Sequence, residues 1–343
     1  MNDRFLKACR REPVDVVPVW FMRQAGRYMA DYRALRQRYS LLEICRNPEL
    51  AVAVTLQPVD LIEVDAAILF SDLLLPFAPM GLDFDFVKGE GPAIKEPIRA
   101  AADVARLRRF EPRRAMAHVL TTIRLLRGEL EGRVPLIGFG GAPFTLGAYA
   151  IEGGPSTTYA KTKTFMYAQP SAWHRLCETF ATTMADYLRA QVEAGVQAVQ
   201  IFDSWAGQLS RADYREFALP HSKFIFDALS DLGVPLVHFG VGTTAILTDM
   251  AEAGGSVIGV DWRLPLDEAW RIVGDDRAIQ GNLDPTTLLA PVERLLSAAD
   301  DVLLRADGRP GHIFNLGHGV LPSTPLEHVQ ALARHVHGYR PVG

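Results

Sequence analysis

Eight short apolar segments recur along the chain, and each is followed by a longer segment, most of which have the periodicity of a helix. The short segments are nearly continuous in apolar residues instead of alternating between apolar and polar positions. This composition is typical of strands that are buried on both faces, as in parallel sheets. The predicted strands are 16–22, 66–71, 134–141, 198–204, 234–240, 257–262, 278–283 and 312–319.

The segment 171–194 has the clearest helical pattern. Its large apolar side chains recur at every third or fourth position, which places them along one face of a helix. Ser171 follows Pro170 at the start of the pattern and is predicted to be the N-cap. Gly195 follows the last periodic position, where helices commonly end. We therefore predict one long amphipathic helix over 171–194.

A different pattern follows the second predicted strand. In the segment 81–97, Phe84 and Phe86 alternate with Asp83 and Asp85. Strict alternation is typical of a strand with one solvated face, and glycines follow it. The segment is predicted to be a small antiparallel hairpin inserted after the second strand.

Eight strands that alternate with helices indicate a parallel α/β fold. Both a (β/α)8 barrel and a doubly wound open sheet have this order of elements. The count of eight and the length of 343 residues favour a (β/α)8 barrel of the TIM type, with residues 1–343 as a single domain. A barrel has its functional residues at the carboxyl ends of its strands. The residues with reactive or polar side chains at these ends are Arg23, Asp72, Ser204, His238, Asp261, Asn282 and His318.

Charge and composition exclude several classes of function. The formal net charge is −4 and no long basic block occurs, which argues against a nucleic-acid or membrane-surface partner. No apolar stretch approaches the ~20 residues that span a bilayer, and the N-terminus lacks the apolar core of a secretory signal. Of the 36 basic residues 30 are Arg, a bias that codon usage explains, so only individual positions indicate anion binding.

The three cysteines fit neither a disulfide framework nor a zinc site. Cys9, Cys45 and Cys177 are far apart in sequence, and no Cys-x-x-Cys or His-Glu-x-x-His motif occurs. The expectation is therefore a cytoplasmic protein with reduced thiols and no bound metal.

A glycine-rich turn offers an alternative function. The stretch "GVGTTA" (240–245) follows a predicted strand, and Asp261 lies 21 residues after Gly240, which matches the dinucleotide-binding pattern. That pattern normally opens the first βα unit of a sheet, whereas this turn follows the fifth predicted strand. The stretch 138–143 fails the same pattern because Pro143 occupies its third glycine position.

The segment "WFMRQAGRY" (20–28) ends the first predicted strand and contains Arg23 and Arg27. The two arginines share a face if the segment is helical, and Gly26 permits a tight turn if it is not. They are either surface charges or a clamp for carboxylates or phosphates, which guanidinium groups bind in bidentate fashion. Arg36, in the next predicted helix, extends this set if the clamp exists.

Four further residues are candidates for either a structural or a functional role. Asp72 lies among apolar residues, so it is either a helix N-cap or a site carboxylate in a dry pocket. The ring of Tyr149 is typical of a buried core position, and Ser204 is typical of a helix cap or a turn. His318 has glycine on both sides, and this backbone freedom suits a side chain presented to a pocket.

Several motifs together resemble one family. The stretch "PVWFMRQAGRYMADYR" (18–33) is similar to the N-terminal signature of uroporphyrinogen decarboxylases, and "GFGGAPFTLGAYAIEGG" (138–154) resembles their second signature. Further matches occur in the expected order, at 70–72, 202–207, 280–285 and 317–325.

The resemblance implies a (β/α)8 barrel, usually a homodimer, that acts in heme biosynthesis without a cofactor. The implied reaction removes CO2 from the four acetate side chains of uroporphyrinogen III and gives coproporphyrinogen III. Carried over by motif position, the implied site residues are Arg23, Arg27, Arg36, Asp72, Tyr149, Ser204 and His318.

The implied chemistry explains these residue types. Asp72 would accept hydrogen bonds from the pyrrole N–H groups and stabilise the positive charge that forms on the ring. The arginines would bind the substrate's carboxylates, and Arg23 would also deliver a proton. Tyr149, Ser204 and His318 would hydrogen-bond carboxylates or orient Asp72.

Three rival functions remain at this point. A cobamide-dependent methyltransferase of the same superfamily would need a His-x-Cys zinc site, which the sequence lacks. An oxidoreductase built on residues 240–245 would bind NADH. A porphyrin carrier would bind the tetrapyrrole without turnover.

Overall fold

A computed structural model describes residues 2–87 and 91–340. Its strands are short and mostly buried, as expected for the inner layer of an α/β protein. In chain order they are β1 (Ala67–Ile68), β2 (Phe84–Val87), β3 (Gly91–Ile94), β4 (Leu136–Gly141), β5 (Ala198–Asp203), β6 (Leu236–Gly240), β7 (Val257–Gly259), β8 (Ala278–Gln280) and β9 (His312–Ile313).

Helices precede, connect and follow these strands. The α-helices are α1 (Arg4–Cys9), α2 (Ala30–Arg38), α3 (Leu41–Arg46), α4 (Pro48–Ile62), α5 (Phe77–Met80), α6 (Ala101–Val104), α7 (Pro112–Ala115), α8 (Ala117–Glu129), α9 (Pro143–Glu152), α10 (Ala160–Ala168), α11 (Pro170–Ala194), α12 (Arg211–Phe217), α13 (Leu219–Leu229), α14 (Leu247–Ala253), α15 (Leu266–Val273), α16 (Val292–Ala306) and α17 (Leu326–Gly338). Short 3-10 helices occupy Ala206–Gln208, Ser230–Leu232, Thr244–Ile246 and Pro285–Leu289. Among residues 2–87 and 91–340, none of these helices combines the length and the apolar character needed to cross a membrane.

Seven strands form one parallel sheet in the order β1-β4-β5-β6-β7-β8-β9. The segment 18–20 joins the two edges of this sheet through its backbone. Phe314 N donates to Pro18 O (2.9 Å) on the β9 side, and Asp65 N donates to Val19 O (2.8 Å) on the β1 side. The sheet therefore closes on itself. The predicted (β/α)8 barrel is confirmed, and the doubly wound open sheet is wrong.

Hydrogen bonds across the barrel interior agree with this closure. Trp20 Nε1 donates to Gln280 Oε1, and Gln280 Nε2 donates to Gln200 Oε1, each at 3.0 Å. Gln200 and Gln280 lie on β5 and β8, which β6 and β7 separate in the sheet. Their side chains meet only because the sheet curls around them.

Several predicted strands are longer than the observed ones. The segment 16–22 contributes only a single bridge, between Val19 and Phe314. Pro18 has no N–H to extend the ladder, and the chain leaves the sheet after this bridge. The predicted strand 312–319 likewise pairs mainly at β9. Beyond β9, Phe314 and Leu316 make isolated bridges to Val19 and Leu283, and residues 317–319 form a loop above the sheet, where the candidate site lies.

The long helix is confirmed, but its predicted N-cap is wrong. α11 begins at Pro170 and Gln169 is the N-cap residue, so Ser171 lies within the first turn. Proline suits the first helical position because an N–H there has no partner within the helix. Gly195 ends the helix with a φ of 125°, as predicted.

The inserted hairpin is confirmed. β2 and β3 pair antiparallel, with Phe84 opposite Ile94 and Val87 opposite Gly91. Phe84 is buried and packs edge-on against Phe77, with 6.4 Å between the ring centroids. Residues 88–90, between the two strands in sequence, lie outside the described residues.

The prediction that His238 lies at a strand end is wrong. It lies in the middle of β6 and is fully buried. Its Nδ1 is 3.2 Å from the carbonyl oxygen of Met250 on α14, and its ring is 4.8 Å from that of Phe226 on α13. Because successive strand residues point to opposite faces, this position faces the helical layer.

Candidate active site

The loop that carries the two arginines, residues 22–28, is called the arginine loop below. It follows the segment that closes the barrel, and its first residue is bonded to the chain beyond β9. Met22 N donates to Asn315 Oδ1 (3.1 Å), and Val320 N donates to Met22 O (2.9 Å). The arginine loop and the loop that contains His318 are therefore direct neighbours at the barrel mouth.

Gln24 fixes the shape of the arginine loop. Its side chain is fully buried; Oε1 accepts from Phe21 N and Nε2 donates to Ala66 O, both at 3.1 Å. The Tyr28 hydroxyl donates to the carbonyl oxygen of Gln24. These bonds attach the loop to the start of β1. Gln24 is a residue that the sequence reading missed, although it lies between the two arginines.

Arg23 has an uncommon backbone conformation and a close neighbour. Its φ of 58° lies in the left-handed region, which a residue with a side chain rarely adopts. Its aliphatic stem lies over Gly319, where an added Cβ would be 2.4 Å from Arg23 Cδ and 2.6 Å from Cγ. Neither Gly317 nor Gly319 adopts the left-handed conformation. The expected backbone freedom around His318 is wrong: Gly319 is needed because a side chain there would displace Arg23.

Asp72 lies beyond the end of β1 and is partly buried. Its Oδ1 accepts a hydrogen bond from Leu74 N (2.8 Å), so it caps a turn, and α5 begins only at Phe77. Burial raises the pKa of Asp72 to about 6, although the Leu74 N–H and the positive charge of Arg23 oppose this shift. The carboxyl group therefore titrates close to neutral pH.

Tyr149 lies on α9 and faces the same charges. Burial raises the pKa of its hydroxyl to about 12; the negative charge of Asp72 adds to this shift, and Arg23 opposes it. Its ring packs edge-on against Trp205, with 5.8 Å between the centroids. Tyr149, Asp72 and Arg23 therefore form one electrostatic group. An adjoining cavity of about 220 Å³ is lined by Tyr149, Trp205, Tyr159 and residues around them.

His318 is held as a neutral imidazole. Gly319 N donates to its Nδ1 (2.6 Å), so in the neutral ring the hydrogen is on Nε2. Burial and the positive charge of Arg23 lower the pKa of His318 to about 4. At pH 7 the ring therefore offers one N–H donor and no charge.

The other predicted residues lie around this group. Burial raises the pKa of Tyr32, the positive charges of Arg36 and Arg27 oppose that shift, and Asp72 adds to it, so all four are within electrostatic range. Arg27 is exposed, and Arg36 is partly buried and donates from Nη1 to Tyr39 O (2.9 Å). Ser204 is partly exposed and lies just beyond the last residue of β5.

Comparison with known proteins identifies the family. The family model described as "Uroporphyrinogen decarboxylase (URO-D)" matches residues 1–339, nearly the whole chain. The chain belongs to the uroporphyrinogen decarboxylase family. A uroporphyrinogen decarboxylase of Sorangium cellulosum is 58% identical over 337 residues, which cover 98% of this chain and 96% of the relative. One of Carboxydothermus hydrogenoformans is 54% identical over 337 residues, with the same coverage.

Solved structures agree on the fold. A methyltransferase from Methanosarcina mazei has a TM-score of 0.77 at 23% identity, covering 98% of this chain and 97% of that chain. A putative vitamin-B12 independent methionine synthase from Listeria monocytogenes has a TM-score of 0.58 at 11% identity, covering 94% and 96%. At these identities the likeness concerns the barrel alone.

In this chain the glycine-rich turn at 240–245 is bonded to Asp261, the residue that a dinucleotide site would need. Asp261, the acidic residue of the apparent dinucleotide pattern, accepts a hydrogen bond from Gly242 N at 2.5 Å. It also accepts from the backbone and guanidinium of Arg263. A carboxylate bonded in this way holds its own loop and is not presented to a ribose.

Arg263 is a second residue that the sequence reading missed. It follows β7, stacks on Trp262 with 4.3 Å from Cζ to the ring, and pairs with Asp261. Both Arg263 and Arg23 contribute to the low pKa of His318. Arg263 also lines a separate cleft of about 640 Å³ whose walls include residues of α16. No motif in the sequence marked it.

Over residues 2–87 and 91–340, no three or more His, Cys, Asp or Glu side chains lie close enough together to hold a metal ion.

Proposed function

We propose that this chain converts uroporphyrinogen to coproporphyrinogen by removing CO2 from its four acetate side chains, at the group formed by Arg23, Asp72, Tyr149 and His318. The observation that carries the proposal is Asp72: a partly buried carboxyl with a pKa of about 6, next to an arginine, at the mouth of a barrel. A single negative charge in such an environment suits the stabilisation of a cationic ring intermediate. Membership in the family supports the substrate and the reaction.

Each decarboxylation consumes one proton and releases one CO2. A proton added to a pyrrole α-carbon makes the ring cationic, and the bond between the acetate methylene and its carboxylate then breaks. The electron pair of that bond neutralises the ring and leaves an exocyclic methylene. Protonation of the methylene gives the methyl group, and loss of the added α-proton restores the pyrrole. The ring itself is the electron sink, so we propose that no cofactor takes part.

Asp72 acts on the cationic intermediate. Above pH 6 its carboxylate is mostly ionised and accepts hydrogen bonds from the inward pyrrole N–H groups. Those N–H groups become more acidic as the ring gains positive charge, so the bonds strengthen along the reaction. Because the carboxylate is partly withdrawn from water, this stabilisation exceeds that of an exposed aspartate.

The arginines bind the substrate's carboxylates. Arg23 is closest to the reacting group and is assigned both carboxylate binding and delivery of the proton. Guanidinium is a weak acid, so delivery proceeds through a water molecule that Arg23 polarises. Arg27 and Arg36 hold carboxylates further out.

Tyr149 and His318 contribute neutral hydrogen bonds. Tyr149, with its pKa near 12, keeps its hydroxyl proton, and His318 keeps only its Nε2 proton at pH 7. Both therefore donate to carboxylates without adding charge to the ring environment. Ser204 is assigned the same role from the end of β5.

We also propose that residues 1–343 act as one catalytic domain, in a homodimer, in the cytoplasm. One continuous apolar core supports the single domain. Cys9, Cys45 and Cys177 are free and buried, which suits a reducing compartment. Sedimentation velocity tests the dimer: a species of about 38 kDa alone, the mass of one chain, would contradict it.

Turnover is tested by anaerobic incubation of metal-free protein with uroporphyrinogen, followed by oxidation and separation of the porphyrins by carboxylate number. We expect products with seven, six, five and four carboxylates to appear in succession. Unchanged substrate in the presence of demonstrated binding would identify a carrier and overturn the proposal.

Gly319→Ala is expected to lower kcat/KM about 10- to 100-fold, because the new methyl group displaces the Arg23 stem. Gly128→Ala is the matched control: Gly128 lies in α8 and an added Cβ there meets no atom within 4 Å. Initial rates of coproporphyrinogen formation measure the effect, with thermal unfolding as a check on folding. Equal activity of the two variants would show that the contact with Gly319 does not place Arg23.

A further inference from the structure

We propose that Thr145 is a positioning residue whose hydroxyl fixes Tyr149 and the Ser204–Trp205 turn relative to each other. This inference rests on the proposed function, in which Tyr149 and Ser204 bind the substrate's carboxylates. Thr145 itself lies behind that surface and does not touch the substrate.

The hydroxyl of Thr145 joins two segments of the chain. Trp205 N lies 3.2 Å from Thr145 Oγ1, and because a backbone N–H only donates, the oxygen accepts this bond. Its single hydrogen is then directed to Asp203 Oδ1, 3.0 Å away. Thr145 and Asp203 have no exposed surface. The bond between Thr145 and Asp203 is therefore made without competition from solvent.

The two bonded segments carry the side chains in question. Tyr149 lies four residues after Thr145 on α9, so the two share a face of that helix. Ser204 lies between the two residues that bond to Thr145. The Trp205 ring in turn packs edge-on against Tyr149. The hydroxyl thus links the two segments that carry Tyr149 and Ser204, the residues proposed to donate hydrogen bonds to the substrate's carboxylates.

Asp203 has a second buried neighbour beside its other carboxylate oxygen. His238 Nε2 lies 3.7 Å from Asp203 Oδ2, and both side chains are fully buried. His238 Nδ1 lies 3.2 Å from the carbonyl oxygen of Met250. The histidine that was expected at a strand end therefore packs beside the aspartate behind the site.

The barrel itself does not depend on the Thr145 hydroxyl. Ala142 N donates to Phe202 O (2.9 Å), which attaches the start of α9 to β5 through the backbone. β4 and β5 pair over five residues below this point. A variant that lacks only the hydroxyl is therefore expected to fold, but Tyr149 and the Ser204–Trp205 turn should no longer be held in a fixed relative position.

The experiment compares Thr145→Val, which keeps the shape and loses the hydroxyl, with Thr145→Ser, which keeps the hydroxyl. We expect Thr145→Val to lower kcat/KM for uroporphyrinogen about 10- to 100-fold and Thr145→Ser to stay within about threefold of the parent. Thr145→Ala removes the hydroxyl without an added methyl contact and is used if the valine variant does not fold. Equal losses in the serine and valine variants would overturn the proposal.

A double-mutant cycle with Tyr149→Phe separates positioning from general damage. If Thr145 acts through Tyr149, Thr145→Val lowers kcat/KM much less in the Tyr149→Phe background than in the parent. An equal cost in both backgrounds would show that Thr145 does not act through Tyr149.

Amide hydrogen exchange at Trp205 tests the contact independently of turnover. We expect faster exchange in Thr145→Val and parent-like exchange in Thr145→Ser. If the parent has no decarboxylase activity, the proposed function fails, whereas this exchange result still decides whether the hydroxyl holds the turn. Unchanged exchange in the valine variant would refute the positioning contact even in an active enzyme.

Discussion

Asp72→Asn is expected to lower kcat for uroporphyrinogen by about 10²- to 10³-fold and, above pH 6, to make the protein more stable. The amide cannot provide the negative charge that stabilises the cationic ring, so turnover falls. Porphyrin binding is retained, because the arginines that hold the carboxylates are unchanged. The assay follows coproporphyrinogen formation, with binding measured by fluorescence quenching.

The gain in stability follows from the direction of the pKa shift. Burial raises the pKa of Asp72 to about 6, above its value in the unfolded chain, so the folded protein disfavours the ionised form. This destabilisation is absent below pH ~4, develops as the pH rises to about 6, and is complete above it. The amide of the Asp72→Asn variant does not ionise, so the variant gains at most about 3 kcal/mol in the free energy of unfolding at pH 8.

Asp85→Asn is the matched control for this prediction. Asp85 also accepts a backbone N–H, from Phe86 (2.7 Å), but it is exposed on the hairpin. Its replacement should leave both turnover and stability near the parent values. Denaturant unfolding at pH 4 and pH 8 measures the free energy of unfolding of both variants and of the parent. An Asp72→Asn variant with parent turnover, or one less stable than the parent at pH 8, would contradict the assigned environment.

Arg23→Ala is expected to lower kcat/KM by at least about 10²-fold and to move the acid limb of the pH–rate profile upward from about 6. The first effect follows from the loss of carboxylate binding and proton delivery. The second follows because the positive charge of Arg23 lowers the pKa of Asp72. Without that charge, Asp72 becomes protonated at a higher pH, and turnover falls earlier on acidification.

Arg23→Lys keeps the charge and loses the planar donor fork. We expect it to retain the acid limb near its parent position while recovering only part of kcat/KM. Arg175→Ala, at an exposed position on α11, is the control for removal of an arginine as such. An acid limb that stays in place when Arg23 becomes Ala would show that Arg23 and Asp72 are not electrostatically linked in solution.

The order of strands and helices could be predicted from the sequence because a buried strand or an amphipathic helix is encoded in a local periodicity. The inserted hairpin followed in the same way from the alternation around Phe84 and Phe86. Strand ends were predicted less well: residues 317–319 were included in a predicted strand but lie in the loop beside Arg23. Composition does not show where backbone pairing stops.

Part of the candidate site was predicted from residues at the ends of successive strands, since a parallel barrel brings those ends to one mouth. The same rule placed His238 wrongly, because composition shows neither where a strand ends nor which face a side chain occupies; His238 lies in the middle of β6. The assignment of Tyr149 and Arg36 came from the resemblance to the family. Arg263 and Thr145 were missed because neither stands out in its local sequence. Their significance depends on Trp262, Asp261 and Asp203, which meet them only after the barrel closes.

The sequence by itself determined the alternation of strands and helices, the family and the residue types of the proposed site. Only the tertiary structure decided the environment of those residues: the left-handed backbone of Arg23, its contact with Gly319, and the pKa of Asp72. The physical reason is the sequence separation of the residues involved. Periodicity and motifs depend on a few neighbouring residues. Burial, electrostatic environment and close approach depend on segments that lie far apart along the chain and that the closed barrel brings together.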